Sequence, residues 1–169
     1  MYEVHGVRIS HQTIMNYSNT VSAIVKGFID YYPYNLSDKS AANETYINVR
    51  GKQHYVFFYS DSIKRIITFY KIYENRDTKC ACESMYNTLF KYKGNLPENF
   101  PFITDGNPIY AAAKIFFSLN DINFNLIQIV GLTNKDETAK EYRPYKQIEE
   151  RLNRTYKQNY YGTNGYDCH

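Results

Sequence analysis

Apolar and polar residues alternate along Glu44-Thr45-Tyr46-Ile47-Asn48-Val49, the period-two pattern of a strand with one buried face. Gly51-Lys52 predicts a turn, and Tyr55-Val56-Phe57-Phe58-Tyr59 a returning strand. After Asp61-Ser62, Ile66-Ile67-Thr68-Phe69-Tyr70 predicts a third strand that completes an antiparallel meander. Asp77 is placed to cap a helix over about 78–89. Phe102-Ile103-Thr104 reads as a short apolar strand, stopped by Asp105 and the turn residues Gly106-Asn107-Pro108, and a helix follows over about 109–117. Residues 125–130 form a second buried-type strand. A loop of about ten residues then leads to a helix over 144–157, whose apolar stripe is Ile148, Leu152 and Tyr156. Three antiparallel strands followed by helix-strand-helix-strand-helix predict an α/β fold with a mixed sheet flanked by helices.

The front of the chain is different. Residues 7–17 predict a short helix with Ser10 as N-cap, and Ile14, Tyr17 and Val21 recur at helical spacing. His11, Gln12 and Asn16 then face outward, as on the second helix of a helix-turn-helix, which enters the major groove. A plain amphipathic entry helix explains the same pattern equally well. A polar stretch over 35–42 separates this region from the strands, so 1–34 forms a partial helix-turn-helix with a connecting helix.

Composition narrows the picture only a little. A chain of 169 residues with 43% hydrophobic and 22% charged residues has room for one folded domain and is not disordered. It lacks an apolar run of about 18 residues and its start lacks the pattern of a signal peptide, which predicts a soluble, cytoplasmic protein without a membrane partner. Three cysteines without framework spacing predict reduced thiols. The net charge of +3 is unevenly placed: residues 140–157 carry six Lys or Arg against three Glu. Such a localised basic helix suits phosphate recognition, although a solvated helix face has the same composition.

Two places could carry chemistry. Asp105 ends a strand before a turn, where open α/β sheets place ligands, although an aspartate there also serves as a helix cap. On the last helix Lys146, Glu150, Arg154 and Lys157 follow one another at helical spacing, with Arg151 nearby. One carboxylate in a row of cations suits metal-assisted work on a nucleic-acid backbone, and ordinary salt bridges explain the row as well.

Four blocks, in order, turn these hints into a resemblance. Asn43-Glu44-Thr45-Tyr46-Ile47-Asn48-Val49-Arg50-Gly51-Lys52 resembles the Asp-Glu-Thr-Tyr-Ile-x-Val-x-Gly-Lys block of DDE transposases. Asn75-Arg76-Asp77-Thr78-Lys79 is similar to their Arg-Asp-x-Lys block, and Thr104-Asp105-Gly106-Asn107-Pro108-Ile109-Tyr110 to their second-aspartate block. The run from Tyr142 to Lys157 resembles the helix that carries their glutamate. The resemblance covers most of 43–165 and is nearest to bacterial insertion-sequence transposases of the insertion sequence six group and its neighbours.

The resemblance implies a retroviral-integrase-like, RNase H-like catalytic domain over 35–165. It implies two divalent ions, Mg²⁺ or Mn²⁺, held about 3.5–4 Å apart by three carboxylates. Water would attack the phosphodiester at the element's end, and the freed 3′-hydroxyl would attack target DNA. The partners implied are DNA and a second transposase, as a homo-oligomer or by pairing with an intact copy. Asp105 matches the second aspartate, and Glu150, which directly precedes Arg-x-Asn-Arg, matches the glutamate, with Glu149 as runner-up. Lys146, Arg151, Arg154 and Lys157, with His11, Gln12 and Asn16, are the expected DNA contacts.

One departure matters. Asn43 stands at the first-aspartate position, and a neutral carboxamide offers one carbonyl oxygen where a carboxylate supplies charge and two ligating oxygens. Weak metal binding and impaired strand transfer are therefore expected. Glu44 should point to the opposite face of its strand, and Asp61 is the other acid on the meander. The helix-turn-helix and the tail at 166–169 both look cut short against the family pattern, as in a truncated copy. A non-catalytic remnant that binds DNA or inhibits an intact transposase is the alternative.

Overall fold

The computed structural model describes residues 2–4, 6–93, 96–130 and 137–162. It comprises two compact units, Met1–Asn35 and Leu36–His169. In the first, β1 (Tyr2–Val4) and β2 (Val7–Ile9) pair antiparallel, and a long helix α1 (His11–Tyr31) follows. Ser10 caps it as expected, its hydroxyl accepting from the Thr13 amide at 3.1 Å. The helix runs 21 residues, well beyond the short segment anticipated, because nothing between Thr13 and Tyr31 breaks it before Pro33.

The second unit is a five-stranded mixed sheet with helices on both faces, the RNase H-like layout expected. Its strands are β3 (Ser40–Val49), β4 (Lys52–Asp61), β5 (Ile66–Tyr73), β6 (Pro101–Thr104) and β7 (Asn125–Gln128). They lie in the order β5-β4-β3-β6-β7. The first three form an antiparallel meander, and β6 and β7 join parallel to β3. The β3–β4 hairpin closes on Arg50-Gly51, one residue earlier than the turn expected, with both residues at positive φ. Two positive-φ central residues match the twist of the flanking strands.

Helices α2 (Thr78–Phe90) and α3 (Pro108–Ser118) cover one face, where Ala42, Phe57, Tyr59 and Phe102 meet Met85, Leu89, Ala113 and Phe117. Asp77 caps α2, accepting from the Cys80 amide at 2.9 Å. Helix α4 (Glu137–Gly162) covers the other face. There Ala41, Ile103 and Ile127 pack with Tyr142 and Tyr145, and Ile47, Val56 and Phe58 with Tyr156.

Two expectations for α4 change. It begins seven residues before Pro144, since the helix tolerates the ring's lost hydrogen bond where tyrosines anchor it on both sides. Its fully buried residues are Glu149 and Asn153, and the side chains packed on the core clusters are the half-buried Tyr142, Tyr145 and Tyr156; Ile148 and Leu152 are also half-buried. Cys80 and Cys82 are free thiols, and Cys168 lies outside the described residues. No helix among the described residues is long and apolar enough to cross a membrane.

Candidate active site

The site grows from the alternation of side chains along β3. Asn43 shares a face with Ala41 and Ile47, towards α4, whereas Glu44 shares the opposite face with Ala42. The parallel pairing of Ser40 with Phe102 and Ala41 with Ile103, carried two residues further, sets position 43 alongside Asp105. Neighbouring strands lie about 4.8 Å apart, so the two residues are near neighbours on the sheet. Glu150, one turn beyond Lys146 on α4, completes the group. Asn43, Glu44, Thr45, Glu150, Asn153, Arg154, Lys157 and Gln158 line one cleft of about 510 Å³. Asp105 is not part of that lining.

Asp105 sits half-buried at the end of β6, and its carboxylate accepts from the Asn107 amide at 3.0 Å. Burial, followed by the nearby Glu44 carboxylate, raises its pKa against the opposing effects of the Asn107 amide, Lys146 and Arg76. The turn after it needs Gly106, where a Cβ would come within 2.4 Å of the Val130 side chain. Lys146 is engaged locally, donating to the Ile129 carbonyl at 2.8 Å. Of the other expected phosphate contacts on α4, Arg154 and Lys157 line the cleft, with the Lys157 ammonium 4.9 Å from the Tyr46 ring centroid. Arg151 is exposed and lies outside the lining. His11, Gln12 and Asn16 are exposed on α1, where Gln12 donates to Asn16 at 3.0 Å.

The two acids of the α4 motif have opposite environments. Glu150 is exposed and faces the cleft. Glu149 is fully buried against the sheet, neither oxygen completes a hydrogen bond, and desolvation pushes its pKa up to about 8, opposed only by the nearby Ser60 hydroxyl.

Glu44 has a role that its sequence position did not suggest. Its side chain is 2% exposed and accepts from Arg76, Asn107 and Tyr110. Burial pushes the Tyr110 phenol well up in pKa, so it remains a donor. Three of the four sequence blocks thus meet at one carboxylate, which ties β3 to the start of α2 and to the turn carrying Asp105. The only sequence signal was the recurrence of these residues in the blocks themselves. Asp61 is equally committed elsewhere: it is solvent-excluded, and although burial pushes its pKa up, bonds from Lys64, Ser37 and Ile63 outweigh this and hold it low.

A two-ion centre needs three carboxylates converging on one point. Here Glu150 shares a cleft with a carboxamide at 43, Asp105 is set alongside 43 only by strand register, and the carboxylates of Glu44 and Asp61 accept from other donors. Among the described residues no three His, Cys, Asp or Glu side chains are grouped to hold a metal ion. The side chains present do not fit a two-metal centre.

Residues 37–160 match a family model described as a DDE domain, of the IS240 transposase type. No curated protein matches the chain. Among solved structures it is similar to the simian T-cell lymphotropic virus intasome in complex with the PP2A regulatory subunit B56 gamma (13% identity, TM-score 0.48, 76% of this chain and 41% of that one). It is also similar to the Mos1 transposase paired-end complex with left transposon end (12%, 0.41, 75% and 45%) and to the Mos1 strand transfer complex (11%, 0.44, 89% and 62%). The chain spans less than two thirds of the length of each. With the family match running from just before β3 to near the end of α4, the chain belongs to the DDE transposase domain family.

Proposed function

We propose that this chain is a transposase of the insertion sequence six group or a close neighbour, acting on element ends and target DNA, whose own metal-dependent cleavage and strand transfer are impaired at position 43. The observation that carries this reading is the cleft itself, which sets Asn43 and Glu150 beside Arg154 and Lys157, with Asp105 next in register. Asp105 and Glu150 are the metal-ligating and catalytic acids in this reading, and Asn43 holds the third position without the charge an Mg²⁺ or Mn²⁺ ion requires. Arg154 and Lys157 grip backbone phosphates. Arg151 extends that grip along the exposed side of α4, and Lys146 joins it by releasing the Ile129 carbonyl. The first unit is a DNA-recognition segment, with His11, Gln12 and Asn16 towards the groove.

The neutral residue at 43 favours a second reading, a non-catalytic protein that still binds DNA or pairs with an intact transposase and inhibits it. One comparison separates the two. Native chain and Asn43→Asp are incubated with element-end DNA and Mn²⁺ or Mg²⁺, and cleavage and strand-transfer products are counted. The first reading predicts products from Asn43→Asp and none above background from the native chain. DNA binding by both forms without product from either supports the second reading, with Lys157→Ala reducing the salt dependence of binding by about one unit of log–log slope. Failure of both forms to bind DNA contradicts the first reading, and failure also to inhibit an intact transposase contradicts the second.

A further inference from the structure

The last pair in the ladder between β6 and β7 is Thr104 with Gln128, closed by the bond from the Ile129 amide to the Thr104 carbonyl at 2.9 Å. Asp105, Gly106 and Asn107 leave the sheet just beyond that point, and there the side chain of Gln128 takes over from the backbone. Its Nε2 donates to the Asp105 carbonyl and to the Asn107 carbonyl, both at 3.1 Å. A carbonyl oxygen only accepts, so the NH₂ end of the amide must face the pair, and its two hydrogens serve the two acceptors. Gln128 is exposed, so burial does not hold it in place. The two bonds are what offset the freedom that a long side chain gives up on being fixed.

The same turn is held from the opposite strand. Asn107 donates through its side chain to Glu44 on β3, while its Oδ1 accepts from the Ile109 amide at 3.3 Å. The Asn107 amide in turn donates to the Asp105 carboxylate at 3.0 Å. Asn107 therefore passes on to the Asp105 side chain whatever position the two neighbouring strands impose. Gly106, between them, has no room for a Cβ against Val130, so the turn has little freedom to adjust. The Thr104 hydroxyl also reaches the Asp105 carbonyl, at 3.0 Å. It belongs to the same strand, however, and cannot set the turn against β7.

We propose that Gln128 is a positioning residue for Asp105. By holding the carbonyls on either side of Gly106 it fixes the Asn107 amide, and through it the direction of the carboxylate. This role rests on the reading of Asp105 as a metal-ligating acid, and adds to it a residue outside the four sequence blocks. The donors of Gln128 carry the role, and its bulk does not.

Two measurements on the full chain test it. In the native chain without metal, hydrogen exchange followed by nuclear magnetic resonance reads the Asn107 amide. Gln128→Met keeps the length and loses the donors, and is expected to speed that exchange at least about tenfold with the urea midpoint unchanged. Gln128→Lys, which restores a donor, should recover most of the protection. In the Asn43→Asp background, Gln128→Met is expected to weaken Mn²⁺ binding about tenfold. Unchanged Asn107 exchange in Gln128→Met overturns the proposal, as does a loss of protection shared equally by all of β6, which would make the residue merely structural. Faster exchange with undiminished Mn²⁺ affinity overturns the positioning role. An Asn43→Asp chain that gains no Mn²⁺ affinity overturns the reading of Asp105 as a ligand, and the hold of Gln128 on the turn then stands or falls on the exchange result alone.

Discussion

Removing Arg76 is expected to destabilise the sheet domain by about 3–4 kcal/mol, because Arg76→Ala strips the counter-charge from a buried carboxylate. Glu44 is 2% exposed, and among the described residues Arg76 is its only charged partner in an ion pair. Tyr110 and Asn107 would still donate to it, but neither carries charge. Arg76 itself is 42% exposed, so the reverse change is milder: Glu44→Gln frees the guanidinium into water and keeps an oxygen for Tyr110. The double variant should recover about half of the loss, a coupling of roughly 2 kcal/mol in a double-mutant cycle. Urea unfolding of the four proteins measures it. Additive effects would mean that the pair is not a unit, and that Glu44 does not tie β3 to the start of α2.

The second large effect concerns Glu149 and has a sign that can be worked out. A carboxyl group with an ordinary pKa of 4.5 in the unfolded chain and about 8 in the folded one binds its proton more tightly when folded. Its contribution is therefore fully present below pH 4.5 and is lost progressively as pH rises towards 8. A difference of that size corresponds to about 5 kcal/mol over the window. The native domain should thus lose several kcal/mol of stability between pH 5 and 8 in the presence of a chelator. Glu149→Gln, which cannot ionise, should lack that slope. Glu149→Met should exceed the native stability at pH 8, since it also removes two buried oxygens without partners. Asp61 acts in the opposite sense and at lower pH, because its carboxylate is favoured in the fold and is lost only on acidification.

These two residues also mark where reading the chain alone falls short. The meander, the cap at Asp77, the strand before Asp105 and the late helix all carry local signals: period-two alternation, an N-cap, a run of apolar residues ended by a turn. They were legible because strands and helices of this kind are written in neighbouring residues. The first residues of β3 were not, since Ser40-Ala41-Ala42 are small residues of weak strand preference, held by β4 on one side and, at Ser40 and Ala41, by β6 on the other. The β1–β2 pair, three residues per strand, is too short to carry a period. Apolar content found Tyr156 on the inner side of α4 but could not show that Tyr142 and Tyr145 pack on the sheet or that Glu149 is fully buried there.

The candidate site shows the same division. Positions 43, 105 and 150 stand out from their motifs, with Glu149 as runner-up to Glu150; what the sequence does not show is that Glu149 is buried while Glu150 is exposed in the cleft. The convergence of Arg76, Asn107 and Tyr110 on Glu44 joins residues 32 to 66 positions apart, which no local pattern encodes.

The central claim is that one side chain separates this domain from a metal-binding site. Mn²⁺ binding, followed by the loss of its free-ion electron paramagnetic resonance signal, tests it most directly. The native chain should bind Mn²⁺ weakly at most, Asn43→Asp should bind it at least about tenfold more tightly, and adding Glu150→Gln to that variant should abolish the gain. Native chain and Asn43→Asp binding Mn²⁺ alike, or a gain untouched by Glu150→Gln, would contradict the account.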